Sequence, residues 1–152
     1  MFNLVIYQPE IPPNTGNIIR LCANTGTKLH LIEPLGFKLE DKRLIRAGLD
    51  YHEFAQIQIY TDYEHFLSSQ KPARLFALST KGTSCYAQHS YLPGDYFMLG
   101  PESRGLPKEI LEGLPPSHVI KLPQLPHSRS LNLSNTAAII LYEALRQNEF
   151  AF

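Results

Sequence analysis

This 152-residue sequence predicts a single-domain α/β fold over residues 1–152, with a mostly parallel sheet and helices on both faces. Two observations carry that prediction. Short apolar runs alternate along the whole chain with segments of helical periodicity, the pattern of strands joined by crossover helices. No linker or internal repeat divides the chain, and its length suits one core.

The elements follow in order. FNLVIY, residues 2–7, is an apolar run that breaks at Pro9 and reads as a buried strand. After IPPNTGN, the residues Ile18, Ile19, Cys22 and Ala23 recur at helical spacing, and Gly26 supplies a stop. KLHLIEP is a second strand. The charges of residues 40–47 around Leu44 and Ile45 predict a helix ended by Gly48. QIQIY alternates as a strand, TDYEHFLSSQ reads as a capped helix, and ARLFALS and DYFMLG are buried strands. PKEILEGL is a short helix, HVIKL the last strand, and residues 133–146 form the strongest helix of the chain.

Composition narrows the function classes. The hydrophobic fraction of 43% and charged fraction of 18% describe a globular chain. Lys plus Arg (14) equals Asp plus Glu (14), so a polyanion would have to meet a local basic patch. Cys22 and Cys85 have neither disulfide-framework nor metal-ligand spacing, and the six histidines are scattered, so no metal site is expected. The amino terminus turns polar too quickly for a signal peptide and nothing approaches a membrane span, so the expected compartment is the cytoplasm. GxGxxG, GxxxxGK[ST] and GxSxG are all absent, which argues against a Rossmann-type oxidoreductase, a phosphate-loop enzyme and a serine hydrolase.

In parallel sheets ligands lie at the carboxyl ends of strands, which directs attention to the loops after Leu78, Leu99 and Leu122. Three segments stand out. In NTGNIIR, residues 14–20, Asn14 reads equally as a helix cap or a site residue, and Arg20 falls off the apolar face, as a surface ion pair or a functional cation. In LGPESRGLP, residues 99–107, Gly100 lets a ligand lie against main chain. Glu102 and Arg104 in the same loop either point together toward a site or form a solvent ion pair. In SRSLNLSN, residues 128–135, the hydroxyls and amides of Ser128, Ser130, Asn132, Ser134 and Asn135 exceed what one helix cap needs and suit a loop around a polar ligand. Lys42, Arg43 and Arg46 make a basic patch that is more often a solvated helix face than a phosphate-binding site.

Taken in order, these three segments resemble the motifs of the SPOUT methyltransferases, and YQPEIPPNTGNIIRLCANTG, LHLIEPLGF, GLDYHEF and RLFALSTKG extend the likeness over nearly the whole chain. The likeness is greatest to the branch that methylates the wobble ribose of tRNA. The resemblance implies a carboxyl-terminal trefoil knot and 2′-O-methylation of wobble cytidine, or of modified uridine, in leucine tRNAs. It implies S-adenosylmethionine held mainly by main chain at Leu78, Gly100, Leu122, Ser130 and Leu131. Arg20, Asn14, Glu102 and Asn132 become the catalytic candidates, and Arg129, Arg104, Lys42, Arg43 and Arg46 the RNA contacts. Family members are homodimers packed through their first and last helices, with Leu141 and Tyr142 as expected contacts here. A ribosomal RNA ribose methyltransferase and a non-catalytic RNA-binding relative are the alternatives.

Overall fold

The computed structural model describes residues 1–45 and 57–152. These form seven strands: β1 (Asn3–Tyr7), β2 (Lys28–Ile32), β3 (Ile57–Tyr60), β4 (Leu75–Leu78), β5 (Ser84–Cys85), β6 (Tyr96–Leu99) and β7 (Val119–Lys121). The helices are α1 (Pro12–Thr25), α2 (Lys42–Ile45), α3 (Tyr63–Gln70), α4 (Lys108–Glu112) and α5 (Leu133–Gln147). Residues 46–48, the expected end of the second helix, lie outside the described residues.

The strand order is β3-β2-β1-β6-β4-β7-β5, and each neighbouring pair is parallel. Period-two alternation along the strands divides the core. Leu4, Ile6, Phe76, Phe97 and Leu99 face one side, with Ile18, Ile19 and Cys22 of α1 and Ala137, Ile140, Leu141 and Ala144 of α5. Val5, Ala77 and Met98 face the other, with Phe66 of α3 and Ile110 of α4. Helices therefore cover both faces, as expected. Burial pushes the Cys22 thiol up to about 12, consistent with a packing rather than a reactive role.

Because β1 to β3 run outward in one direction and the later strands lie on the other side of β1, the sheet switches direction at the β1–β6 pair. Beyond it, β7 runs between β4 and β5, which the chain itself joins through residues 79–83. Gly82 crosses β7 so closely that a Cβ there would lie 2.7 Å from the Ile120 carbonyl carbon. Only glycine fits that crossing without a shift of backbone.

Candidate active site

A cavity of about 430 Å³ opens at the carboxyl ends of β4, β6 and β7. Leu78, Leu99 and Leu122 lie at these ends and line it, and the whole run 100–106 forms part of its wall. Ser130, Leu131 and Asn132 close it from the loop before α5. Thus Leu78, Gly100, Leu122, Ser130 and Leu131, together with Asn14, Glu102, Asn132 and Arg104, come together at one place. Ile11, Ser79, Thr80, Lys81, Leu106 and Gln124 also line it without having been expected.

The start of α1 differs from the sequence reading. Pro12 occupies the first turn, Ile11 is the N-cap, and no local side chain caps the helix. Asn14 lies inside the first turn and caps nothing. The carboxylate that serves this terminus is distant in sequence: Glu102 Oε2 accepts hydrogen bonds from the N–H groups of Glu10 (2.8 Å) and Ile11 (3.1 Å). An anion beside orphan N–H groups at a helix start is favourable for the bonds it accepts and for the helix dipole. Glu102 Oε1, by contrast, is buried without a hydrogen-bond partner.

Asn132 carries two tasks. Its Oδ1 caps α5 by accepting from the N–H groups of Ser134 (2.9 Å) and Asn135 (3.2 Å), while its Nδ2 donates to Asn14 Oδ1 at 2.9 Å. The first and third motifs are thereby joined across the cavity wall. The side-chain amide of Asn14 is used in that joint, which explains its burial in a helix start.

Gly100 is required for a reason the sequence did not supply. A Cβ there would lie 2.4 Å from Leu106 N and 2.5 Å from the Gly105 carbonyl carbon, so the loop folding back on itself excludes a side chain. Gly100 also lines the cavity, so this contact within the loop stands beside the reading that its main chain faces a ligand. Glu102 and Arg104 both line the cavity but do not pair with each other: Glu102 turns to the start of α1, whereas Arg104 donates to Gln8 Oε1 at 3.1 Å and lies 4.0 Å from Glu10 Oε2. Hydrogen bonds from the Ser103 N–H and hydroxyl, helped by Arg104, hold the Glu10 carboxyl below its usual range.

Main-chain polarity gives the cavity its chemistry. Among the described residues, the N–H groups of Leu122, Ser130 and Leu131 have no hydrogen-bond partner, and neither does the Ser130 hydroxyl. Apolar Leu78, Leu99, Leu106 and Leu133 lie among these groups. Such a mixture fits a nucleoside-like ligand with apolar faces and polar edges. No group of three His, Cys, Asp or Glu residues that could hold a metal occurs among the described residues.

The cations are dispersed. Arg20 is exposed on α1 and does not line its own chain's cavity. Arg43 is engaged by Asp41 through two side-chain hydrogen bonds of 3.1 and 2.9 Å. Lys42 and Arg129 are exposed away from the cavity lining, and Arg46 lies outside the described residues.

A model of the SpoU rRNA Methylase family matches residues 1–142. The tRNA (cytidine(34)-2′-O)-methyltransferase of Methylovorus glucosotrophus is 58% identical over 151 residues, covering 99% of this chain and 98% of its own. A solved structure concerned with 2-OH methylation of C/U34 on tRNA is 43% identical with a TM-score of 0.90, over 98% of this chain and 97% of that one. The AdoMet-bound rRNA methyltransferase of Sinorhizobium meliloti is 25% identical with a TM-score of 0.82, over 95% of this chain and 56% of that one.

Proposed function

The chain belongs to the SpoU rRNA Methylase family, and from that premise we propose that it methylates the 2′-oxygen of the wobble ribose of tRNA. The target is cytidine, or modified uridine, at that position in leucine isoacceptors. The methyl donor is S-adenosylmethionine. Residues 1–152 act as one methyltransferase domain. The passage of β7 between β4 and β5 beneath residues 79–83 supports reading the carboxyl-terminal region as a trefoil knot. The observation that carries the proposal is the convergence of all three motif loops on one cavity whose free main-chain N–H groups lie at Leu122, Ser130 and Leu131.

Those three positions, with Leu78 and the Gly100 loop, would hold the adenosyl group. S-adenosylmethionine supplies an electrophilic methyl on a sulfonium. The chain must align the ribose hydroxyl with it and manage one proton. Glu102 Oε1, buried and without a donor, is the acceptor for the hydroxyl proton. Arg20 remains protonated and stabilises the developing alkoxide as a cation, since a guanidinium is no practical base. Asn14 and Asn132 fix the two loops between which the ribose enters.

The functional unit is a homodimer packed through α1 and α5. Its support is an exposed apolar pair on α5, where Ile139 (38%) and Tyr142 (46%) are open while Leu133, Ala137, Ile140, Leu141, Ala144 and Leu145 of the same helix are buried. Leu141, at 0% exposure, belongs to that core and is removed from the interface. Arg20, exposed on α1 and outside its own cavity lining, reaches a reaction centre by this pairing, that of the partner subunit. Arg104 at the cavity and Arg129, Lys42 and Arg43 outside its lining, together with Arg46, supply phosphate contacts that pairing duplicates, which reconciles zero net charge with an RNA partner. No described helix is long and apolar enough to cross a membrane; a tRNA substrate is what supports a cytoplasmic location.

Transfer of labelled methyl to tRNA and ribosomal RNA from cells lacking this protein, followed by nucleoside mapping, tests the proposal. Label on the wobble 2′-oxygen is expected. Label only in ribosomal RNA would give the alternative ribose methylation, and bound cofactor without transfer would leave an RNA-binding role.

A further inference from the structure

We propose that Glu10 is a positioning residue of this enzyme, holding the 101–105 wall of the cavity through Ser103; the inference rests on the methyltransferase reading above. Glu10 Oε1 accepts from Ser103 N at 2.9 Å and from Ser103 Oγ at 2.7 Å, and Oε2 lies 3.0 Å from the same hydroxyl. In return, Glu102 accepts from the N–H groups of Glu10 and Ile11. Two carboxylates thus exchange hydrogen bonds between segments about ninety residues apart, each reaching main-chain donors of the other.

The position of this latch gives it its consequence. Strands β1 and β6 pair in parallel up to Ile6 and Leu99, and beyond them both chains leave the sheet. Gln8 to Ile11 then leads into α1 with Asn14 and Arg20, while residues 100–106 form the cavity wall. Ladder hydrogen bonds no longer join the two segments there. Side-chain bonds from Glu10, Glu102 and Arg104 continue the pairing instead. Hydrogen bonds accepted from main-chain N–H fix backbone position rather than a mobile side chain. With Ser103 held, its neighbour Glu102, part of the cavity wall, keeps Oε2 on the start of α1 and Oε1 buried without a partner. The wall lining the cavity and the helix that carries Arg20 are therefore joined by one set of side-chain contacts, in which Glu10 holds Ser103.

Without the latch the wall samples other positions. A binding-competent state populated one-tenth of the time weakens apparent affinity about tenfold. The experiment is calorimetric titration of S-adenosylhomocysteine into the full-length wild-type protein, Glu10→Ala and Glu10→Gln, with thermal melts of each alone. Glu10→Ala is expected to bind about tenfold more weakly. Glu10→Gln retains an amide oxygen for both Ser103 donors and should stay within about twofold of wild type. A merely structural role lowers the melting temperature and leaves the affinity of the folded fraction unchanged, so wild-type affinity in Glu10→Ala overturns the proposal. Equal weakening in Glu10→Gln also overturns it, since charge rather than the latch would then be responsible. Should Glu10→Ala not fold, Ser103→Ala decides, because it keeps the main-chain donor: about threefold weaker binding supports the latch and unchanged binding rejects it. A wild-type protein that binds no S-adenosylhomocysteine overturns the methyltransferase reading itself, and the latch with it.

Discussion

At the amino ends of β1, β4 and β6 buried polar groups are mostly paired with one another, whereas at the carboxyl ends of β4, β6 and β7 solvent-facing main-chain N–H groups and one buried carboxylate oxygen have no partner within the chain. In the first region Asn3 bridges the Gly94 and Asp95 carbonyls and meets His30, which reaches Tyr60 at 2.9 Å. Asp95 accepts from Leu92 N and lies 3.1 Å from Arg74 Nε, and Arg74 donates to the Ser90 carbonyl. In the second region the N–H groups of Leu122, Ser130 and Leu131 and one oxygen of Glu102 find no partner. A paired network stabilises the fold and offers little to a ligand, while N–H groups open to solvent in a cavity can exchange water for a ligand's acceptors. The same sheet is closed at one end and open at the other.

Substitutions at the two ends should therefore separate activity from stability. The largest effect belongs to Arg20→Ala: kcat for methyl transfer falls about 10²–10³-fold while affinity for S-adenosylhomocysteine and the melting temperature hold. Weakened cofactor binding in that variant would place Arg20 in the pocket instead. At the closed end, burial, with a contribution from the Lys28 charge, depresses the His30 imidazole to about 4. Below pH 6.5 the unfolded chain takes up a proton that the fold refuses. This stability is thus complete above pH 6.5 and is lost, by about 3 kcal/mol in all, as pH falls through about 4. Urea unfolding across that range should show the slope, and His30→Gln should flatten it. Arg74→Ala strands the Asp95 carboxylate opposite no cation and should cost about 2 kcal/mol, read from urea midpoints, with cofactor affinity of the folded protein unchanged. Tyr142→Asp should change subunit stability by less than about 0.5 kcal/mol yet halve the sedimenting mass; an unaltered profile would put the interface elsewhere.

Local signals carried much of this structure. Short apolar runs, one of them alternating, located six of the seven described strands, and the loops after Leu78, Leu99 and Leu122 were found from the rule for parallel sheets. Ser84–Cys85 escaped because two residues are too short for any period and owe their pairing to β7, far along the chain. Strand order escaped for the same reason. At the site, motif residues were legible as chemical types, but their partners were not. The cap of α1 comes from Glu102, the amide of Asn14 is engaged by Asn132, and Gly100 is demanded by Leu106. Glu10 and Ser103 passed unnoticed because a lone carboxylate and a lone serine in loops carry no local pattern; only the fold brings them to 2.7 Å.

Amide hydrogen exchange with and without S-adenosylhomocysteine, resolved by NMR to single residues, tests the contrast between the two ends most directly. The account predicts new protection at Leu122, Ser130 and Leu131, with no change at Asn3, His30 or Asp95. Protection concentrated at the amino ends of the strands, or no protection at those three amides when the ligand is bound, would contradict it.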